Sequence, residues 1–258
     1  MGARLGQHFL FDPAILGRIA DAALLTPRDV VLEIGPGRGT LTRHLAARAR
    51  RVVAIEADAR LAAALRAAPP ADNVEVLDGD ALTLPWPRAD VVCGNIPYQI
   101  TSPLIERALT PPRPRCIVFL IQREVADRLA AGPGSRTYGA LSAGVQLVAD
   151  VERLFGVRAG AFRPPPRVES ALVRITPREV PLVAGGAEEQ RVRAVIRLAV
   201  AHRRRQLQRT LREDAGLDAL GAARLLEGIG LSPAVRAEQL GPAEFVALAR
   251  ALPRSLQL

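Results

Sequence analysis

An α/β fold followed by a smaller helical domain is what the chain predicts, on three observations. Short apolar runs alternate with helical patterns from Val30 to Ile121, and each run ends in a polar or glycine-rich loop. The alternation breaks near residue 150, and beyond residue 186 only helical patterns remain. The runs Val30 to Ile34 and Cys116 to Ile121 lack a polar face, so they predict a parallel sheet covered by helices on both sides. At 258 residues the chain can bury roughly three quarters of its unfolded surface. That suits a main domain at 1–178 and a small all-helical one at 179–258.

Each element has a local reason. Asp12 can cap and Pro13 can open a helix to Leu25, after the motif Gly6-Gln7-His8-Phe9-Leu10. Val30 to Ile34 is the first buried strand, and Gly35-Pro36-Gly37-Arg38-Gly39 follows at once. Thr40 to Arg48 reads as helix, with Leu41 and Leu45 four apart. Arg51 to Ile55 is a second strand ending at Glu56 and Asp58, and Val74 to Leu77 is a third, ending at Asp78-Gly79-Asp80. Val91-Val92-Cys93 is the fourth and delivers Gly94-Asn95-Ile96-Pro97-Tyr98-Gln99; Ser102-Pro103 then starts a helix, and Cys116 to Ile121 is a fifth strand. Val151 to Val157 and Val168 to Ile175 are two further strand candidates, and Pro177 to Gly186 reads as a linker. Helices are expected from Glu188 to about Glu213 and from Leu217 to Gly228, with starts at Ser232-Pro233 and Gly241-Pro242.

Composition narrows the function classes. The formal charge is +9 and every basic residue is arginine, which favours polyanionic partners, RNA or DNA. The abundance of Ala, Pro and Gly beside it marks a GC-rich coding bias that weakens arginine count as an argument. Cys93 and Cys116 sit in apolar runs, as core residues of a reducing compartment. Three histidines without cysteine partners at ligand spacing predict no metal, and the absence of long apolar runs predicts no membrane span. The expectation is a soluble cytoplasmic protein.

The loops that close the strands carry the chemistry. Gly35, Gly37 and Gly39 follow a strand and open a helix, but the spacing is wrong for a pyrophosphate loop and there is no Walker lysine. A turn of this kind is as often structural as ligand-binding. Glu56, at the end of the second strand, is placed to take the hydroxyls of a ribose, and Asp80 an exocyclic amine of adenine. Together they suit S-adenosylmethionine better than NAD, because they grip a nucleoside and an amino acid with no phosphate cradle. Asn95 offers an acceptor and a donor, Pro97 keeps the Ile96 carbonyl out of a helix ladder, and Tyr98 adds a flat ring. Those residues fit an adenine pocket; an Asx-type turn with Tyr98 in the core fits them equally.

These blocks resemble the small-subunit ribosomal RNA adenine dimethyltransferase family. Gly6 to Leu10, Glu33 to Gly37, Asn95 to Tyr98, Pro133-Gly134-Ser135, Tyr138-Gly139, Phe162 to Pro166 and Arg203-Arg204-Arg205 through Leu211 occur in the family's order, and coverage is nearly the whole chain. The resemblance implies a class I, Rossmann-like methyltransferase fold that uses S-adenosylmethionine. It implies dimethylation at N6 of two adjacent adenosines in the terminal hairpin of small-subunit (16S) rRNA, within a maturing subunit, by a monomer. It further implies that His8, Leu10, Gly35, Gly37, Glu56, Asp80 and Asn95 border the cofactor. Asn95 and the Ile96 carbonyl, held by Pro97, would accept from the target amine while Tyr98 and Phe162 sandwich the ring. Arg203, Arg204 and Arg205 would meet RNA. His8 stands where many members carry Asn, and Gln99 where Asn is common. The arginine run also reads as a solvated helix face, and Phe162 as the buried start of a stiff linker. The related methyltransferases of large-subunit RNA, and an assembly factor using the fold as a scaffold, are the rival functions.

Overall fold

A computed structural model describes residues 7–253, so Gly6 of the first motif lies outside the described residues. Two compact units are present. One takes the chain up to Ala126 together with Val151–Pro177, and the other takes Asp127–Asp150 with the chain from Arg178 onward.

In the first unit the chain runs through β1 (Phe9–Leu10), α1 (Pro13–Ala22), β2 (Val30–Ile34), α2 (Thr40–Ala46) and β3 (Arg51–Glu56). It continues with α3 (Ala59–Ala67), β4 (Val74–Asp78), β5 (Val91–Asn95), α4 (Thr101–Ala108) and β6 (Cys116–Gln122). After α5 (Arg123–Leu129) and α6 (Ala140–Gln146) come β7 (Ala149–Val157), β8 (Phe162–Arg163) and β9 (Ser170–Pro177). Seven strands form the main sheet in the order β4-β3-β2-β5-β6-β9-β7, and β1 and β8 form a separate two-stranded ribbon.

β4, β3, β2, β5 and β6 are parallel, as their unbroken apolar runs predict. β9 departs from that expectation and lies antiparallel to β6. The stretch between β7 and β9 has no α-helix, the element a parallel crossover needs. Val31, Cys93, Val118 and Leu120 are buried against Leu16 and Ile19 of α1 and Leu41 and Leu45 of α2. Asp12 caps α1 as its sequence predicts, accepting from Ala14 N–H at 2.9 Å and Ile15 N–H at 3.2 Å. α4 does not start at Ser102. The Pro97 carbonyl instead accepts from Ile100 N–H at 3.1 Å, so a 3₁₀ turn over Tyr98–Ile100 leads into Thr101.

The second unit contains α6, α7 (Gly186–Ala201), α8 (Leu207–Glu213), α9 (Ala219–Gly228) and α10 (Pro242–Ala251). The sequence predicts a single cut after residue 178, whereas 127–150 belongs to this unit. Gly134 N–H donates to the Glu238 carbonyl at 2.6 Å, and Arg203 donates to the Tyr138 carbonyl at 2.9 Å. The long helix predicted to Glu213 breaks at His202. There Leu207 N–H is taken by Val235 O at 2.7 Å and Gln206 bridges Arg236, which draws the backbone out of the helical ladder. Ser232-Pro233 opens no helix; the Ser232 carbonyl closes a turn onto Val235 N–H at 3.0 Å. Arg191 of α7 donates to the carbonyls of Ala249, Leu252 and Pro253 at 2.8–3.1 Å, satisfying groups that the end of α10 leaves over.

One close approach decides how β5 sits beside β2. A Cβ on Gly94 would stand 2.5 Å from the Ile34 carbonyl oxygen and 2.8 Å from Ile96 Cδ1. Gly94→Ala is therefore expected to destabilise the first unit by about 1–3 kcal/mol through overpacking. Urea unfolding measures it, and an unchanged midpoint would mean that the two strands part without cost.

Candidate active site

β2 and β5 are neighbours from which the strand order runs in opposite directions, β3 and β4 to one side and β6 to the other. At such a switch the connecting segments leave a crevice beyond the carboxyl ends of the strands. A cavity of about 560 Å³ opens there, inside the range for small-molecule sites. Gly35, Gly37, Glu56, Asp80, Asn95 and the ring of Tyr98 all line it.

The glycine turn makes the floor. Gly35, Gly37 and Gly39 have φ of 68°, 57° and 74°, a region that side chains disfavour. A Cβ at Gly37 would come within 2.9 Å of the Phe9 ring, and one at Gly39 within 2.8 Å of Pro70. Glu56 is buried and held by two backbone donors: Oε2 accepts from Gly37 N–H and Oε1 from Asp58 N–H, each at 2.9 Å. Its orientation is therefore set, with a further lone pair on each oxygen. Asp80 sits exposed at the rim, where it accepts from Leu82 N–H at 2.8 Å.

The lip is built from β1 and the loop after β5. Asn95 donates through Nδ2 to the His8 carbonyl at 2.9 Å, so its side-chain oxygen remains the acceptor that faces elsewhere. His8 donates from Nδ1 to the Pro164 carbonyl at 2.8 Å, and Thr40 ties the Leu10 carbonyl at 3.0 Å. Ile96 is buried and its N–H is fixed to Leu120 O at 3.0 Å. Tyr98 is half-buried; its hydroxyl meets Ser170 Oγ at 2.9 Å, and its ring lies 6.1 Å from that of His8. Tyr98 thus borders the cleft instead of filling the core. Gln99 also borders the cleft.

Two groups of sequence-predicted residues sit differently. Phe162 pairs with Leu10 across the β1–β8 ribbon and is 2% exposed in the core, outside the cleft lining. Paired residues share a face, so Leu10 and Phe162 are buried together, whereas the Phe9 ring lies against Gly37 at the cleft and Arg163 is exposed. Arg203, Arg204 and Arg205 lie in the turn between α7 and α8, in the second unit. Arg203 is occupied by Tyr138 and Arg205 pairs with Glu213 at 3.1 Å, whereas Arg204 is exposed.

Sequence reasoning assigned no role to Glu33. It is 1% exposed on β2, between Ala54 and Cys93 in register, and lines the cleft. Burial pushes its carboxyl up to about 8; the nearby Thr42 hydroxyl offsets part of that, and the charge of Glu56 adds to it. The signal was legible: an acid inside an otherwise apolar strand run. With Glu56 and Asp80 it makes three acidic residues in the lining, which contains no arginine among the described residues although the chain carries +9. The cleft is thus matched to a cationic or neutral ligand and mismatched to a pyrophosphate.

The sheet order and a cleft of this composition at its switch point define a methyltransferase of class I architecture. Over residues 2–251 the chain matches the model of the family described as ribosomal RNA adenine dimethylase. It belongs to that family. A protein of Gloeobacter violaceus named ribosomal RNA small subunit methyltransferase A is 44% identical over 98% of this chain and 93% of its own length. The protein of that name from Myxococcus xanthus is 41% identical over 96% and 89%. Among solved structures, a dimethyladenosine transferase from Plasmodium falciparum superposes with a TM-score of 0.82 at 28% identity, covering 93% of this chain and 96% of that one. The 23S rRNA methyltransferase ErmE superposes with a TM-score of 0.74 at 31% identity, covering 95% and 99%. No described helix is long and apolar enough to cross a membrane.

The buried Glu33 carboxyl ties stability to pH. Its folded value of about 8 lies above the ordinary 4.5, so between those values the folded state holds the extra proton. Stability then falls as pH rises through that window, by up to about 1.4 kcal/mol per unit. Relative to Glu33→Gln, the wild-type protein should lose urea resistance from pH 5 to pH 8; parallel curves would rule this out.

Proposed function

We propose that this chain transfers methyl groups from S-adenosylmethionine to N6 of two adjacent adenosines in the terminal hairpin of small-subunit ribosomal RNA during ribosome biogenesis. The observation that carries the reading is the placement of Asn95–Tyr98 on the lip of a cleft whose floor is the Gly35–Gly37 turn. The curated relatives named for the small subunit, at 41–44% identity, support the choice of RNA. The likeness to ErmE supports a second reading, large-subunit RNA.

The residues fit the cofactor. The glycine cradle is one that a Cβ would fill, and among the described residues the lining has three acids and no arginine. When bound, S-adenosylmethionine supplies an electrophilic methyl on a sulfonium that needs no activation. Glu56 would hold the ribose, Gly35 and Gly37 would lie along the amino-acid end, Asp80 would meet the adenine, and His8 and Leu10 would close the side.

Asn95 and the Ile96 carbonyl would accept hydrogens from the target amine. That draws the nitrogen lone pair out of the ring system and aims it at the methyl, so catalysis is orientation and electrostatics. Pro97 keeps the turn in place and Tyr98 stacks on the extruded base, worth about 1–3 kcal/mol. Phe162, buried against Leu10, would have to leave the core to form the second face. The helical unit would hold RNA through Arg204, with Arg205 joining once freed from Glu213. A single cytoplasmic chain suffices for every role named.

Incubating isolated small and large subunits with labelled cofactor tests the reading: label is expected in small-subunit RNA, and label only in large-subunit RNA would overturn it. Asn95→Ala should lower turnover by roughly 100- to 1,000-fold, as for loss of one aimed polar group, while RNA binding persists. Arg204→Glu with Arg205→Glu should weaken subunit binding and leave cofactor affinity unchanged; a loss of cofactor affinity would refute the assigned division of labour.

A further inference from the structure

The crossover from β4 to β5 is built unlike the others of the parallel sheet. α2 joins β2 to β3, α3 joins β3 to β4 and α4 joins β5 to β6, whereas the described chain between Asp78 and Val91 forms neither helix nor strand. Parallel strands ordinarily rely on a helix to make such a connection. This one carries Gly79, Asp80 and Ala81 into the cleft lining, so its placement matters to the site. Its first turn closes on itself. The Asp80 carbonyl accepts from Thr83 N–H at 3.0 Å and Leu84 N–H at 2.8 Å, and the Asp80 carboxylate takes Leu82 N–H at 2.8 Å. The carbonyls that follow are taken by side chains. Trp86 Nε1 donates to the Ala81 carbonyl at 2.8 Å. Arg107, in the last turn of α4, donates through Nη1 to the Leu82 carbonyl and through Nη2 to the Leu84 carbonyl, the latter at 2.5 Å. Its guanidinium also stands 5.0 Å from the centre of the Trp86 ring. One half-buried cation thus holds two carbonyls and a ring of a segment that has no ladder of its own.

We propose that Arg107 is a positioning residue for the adenine end of the cofactor: it latches the Asp80 segment to α4 and thereby sets how well the site tells adenine from a base that lacks the exocyclic amine. This rests on the cofactor reading given above and deepens it. Asp80 is exposed at the rim, and its carboxylate is oriented by Leu82 N–H, a group of the same turn. A turn fixed from within can still swing as a unit. The bonds from Arg107 to Leu82 and Leu84 tie it to a helix that is itself packed through the buried Leu104, Ile105 and Ala108. Recognition of an amine needs that restraint, because a carboxylate displaced by about 1 Å no longer meets hydrogen-bond geometry. α4 also begins where the acceptor loop ends, since the turn over Tyr98–Ile100 runs directly into Thr101. A single helix therefore places the acceptor loop from its start and the adenine-side segment from its last turn. Lysine could not do the same, because an ammonium lacks the planar fork that reaches two carbonyls at once.

Calorimetric binding of S-adenosylhomocysteine and of S-inosylhomocysteine, in which an oxo group replaces the adenine amine, tests the role on the full chain. The wild-type protein should favour the adenosyl ligand by at least about tenfold, the fold-change carried by one hydrogen bond to a charged group. Arg107→Ala should bring the two affinities within about threefold of each other, by weakening the adenosyl ligand and leaving the inosyl one near its wild-type value. Arg107→Lys, which keeps the charge, should fall between the two. Trp86 is the chain's one tryptophan, so its emission reads the segment without ligand and should shift to the red in Arg107→Ala as the ring gains water. A preference undiminished in both variants would overturn the proposal, as would an unshifted emission. Equal loss of both ligands would overturn it too, since Arg107 would then prop the cleft as a whole. Equal wild-type affinities would remove Asp80 from the adenine, and no wild-type binding at all would sink the cofactor assignment itself.

Discussion

The contact between Gly94 on β5 and the Ile34 carbonyl on β2 sets the geometry of everything above it. These strands are the pair at which the sheet reverses its order, and they run side by side only because Gly94 presents no side chain. Their carboxyl ends carry the two halves of the site: Gly35 and its turn leave β2, and Asn95 to Tyr98 leave β5. Gly35 N–H is fixed to Ile55 O at 2.9 Å and Ile96 N–H to Leu120 O at 3.0 Å, so both loops are anchored to neighbouring strands before they reach the cleft. A site that depends on orientation needs this kind of rigid support.

The second constraint is electrostatic. Among the described residues, a chain with a surplus of nine positive charges places no arginine in the lining of its main cleft. The field that attracts polyanions and the pocket that takes a cation are therefore separated by where side chains stand, although the total charge belongs to one molecule. Glu56 is held in place by two backbone donors, while burial pushes the Glu33 carboxyl up to about 8.

Most of the α/β framework was legible because it is encoded locally. Apolar runs mark β2, β3, β5 and β6, Asp12 and Pro13 mark the start of α1, and the loops that follow the strands hold the polar residues. The departures came where another hydrogen bond, nearby or distant in the chain, overrides a local preference. Ser102 is a good cap in isolation, but the Pro97 carbonyl captures Ile100 first. The helix through His202 is plausible from its composition, but Val235 takes the Leu207 N–H. The segment 127–150 looks like a continuation of the sheet domain, yet its Gly134 N–H donates to the Glu238 carbonyl and its Tyr138 carbonyl accepts from Arg203, both within the helical unit.

By itself the sequence determined the family, the strand-and-helix alternation, and the residues that end each strand, because these depend on spacing and side-chain type. Only the tertiary structure decided what those residues face. It placed Tyr98 on the cleft and Phe162 in the core, since pairing of β1 with β8 turns Leu10 and Phe162 inward together. It gave Arg203 to the Tyr138 carbonyl and Arg205 to Glu213, leaving Arg204 exposed. It also brought the buried Glu33 carboxyl into the lining of the same cleft as Gly35 and Glu56. The physical reason is that burial and hydrogen-bond satisfaction are properties of neighbours in space, and neighbours as far apart in the chain as Leu10 and Phe162 or Arg203 and Tyr138 leave no mark on local pattern.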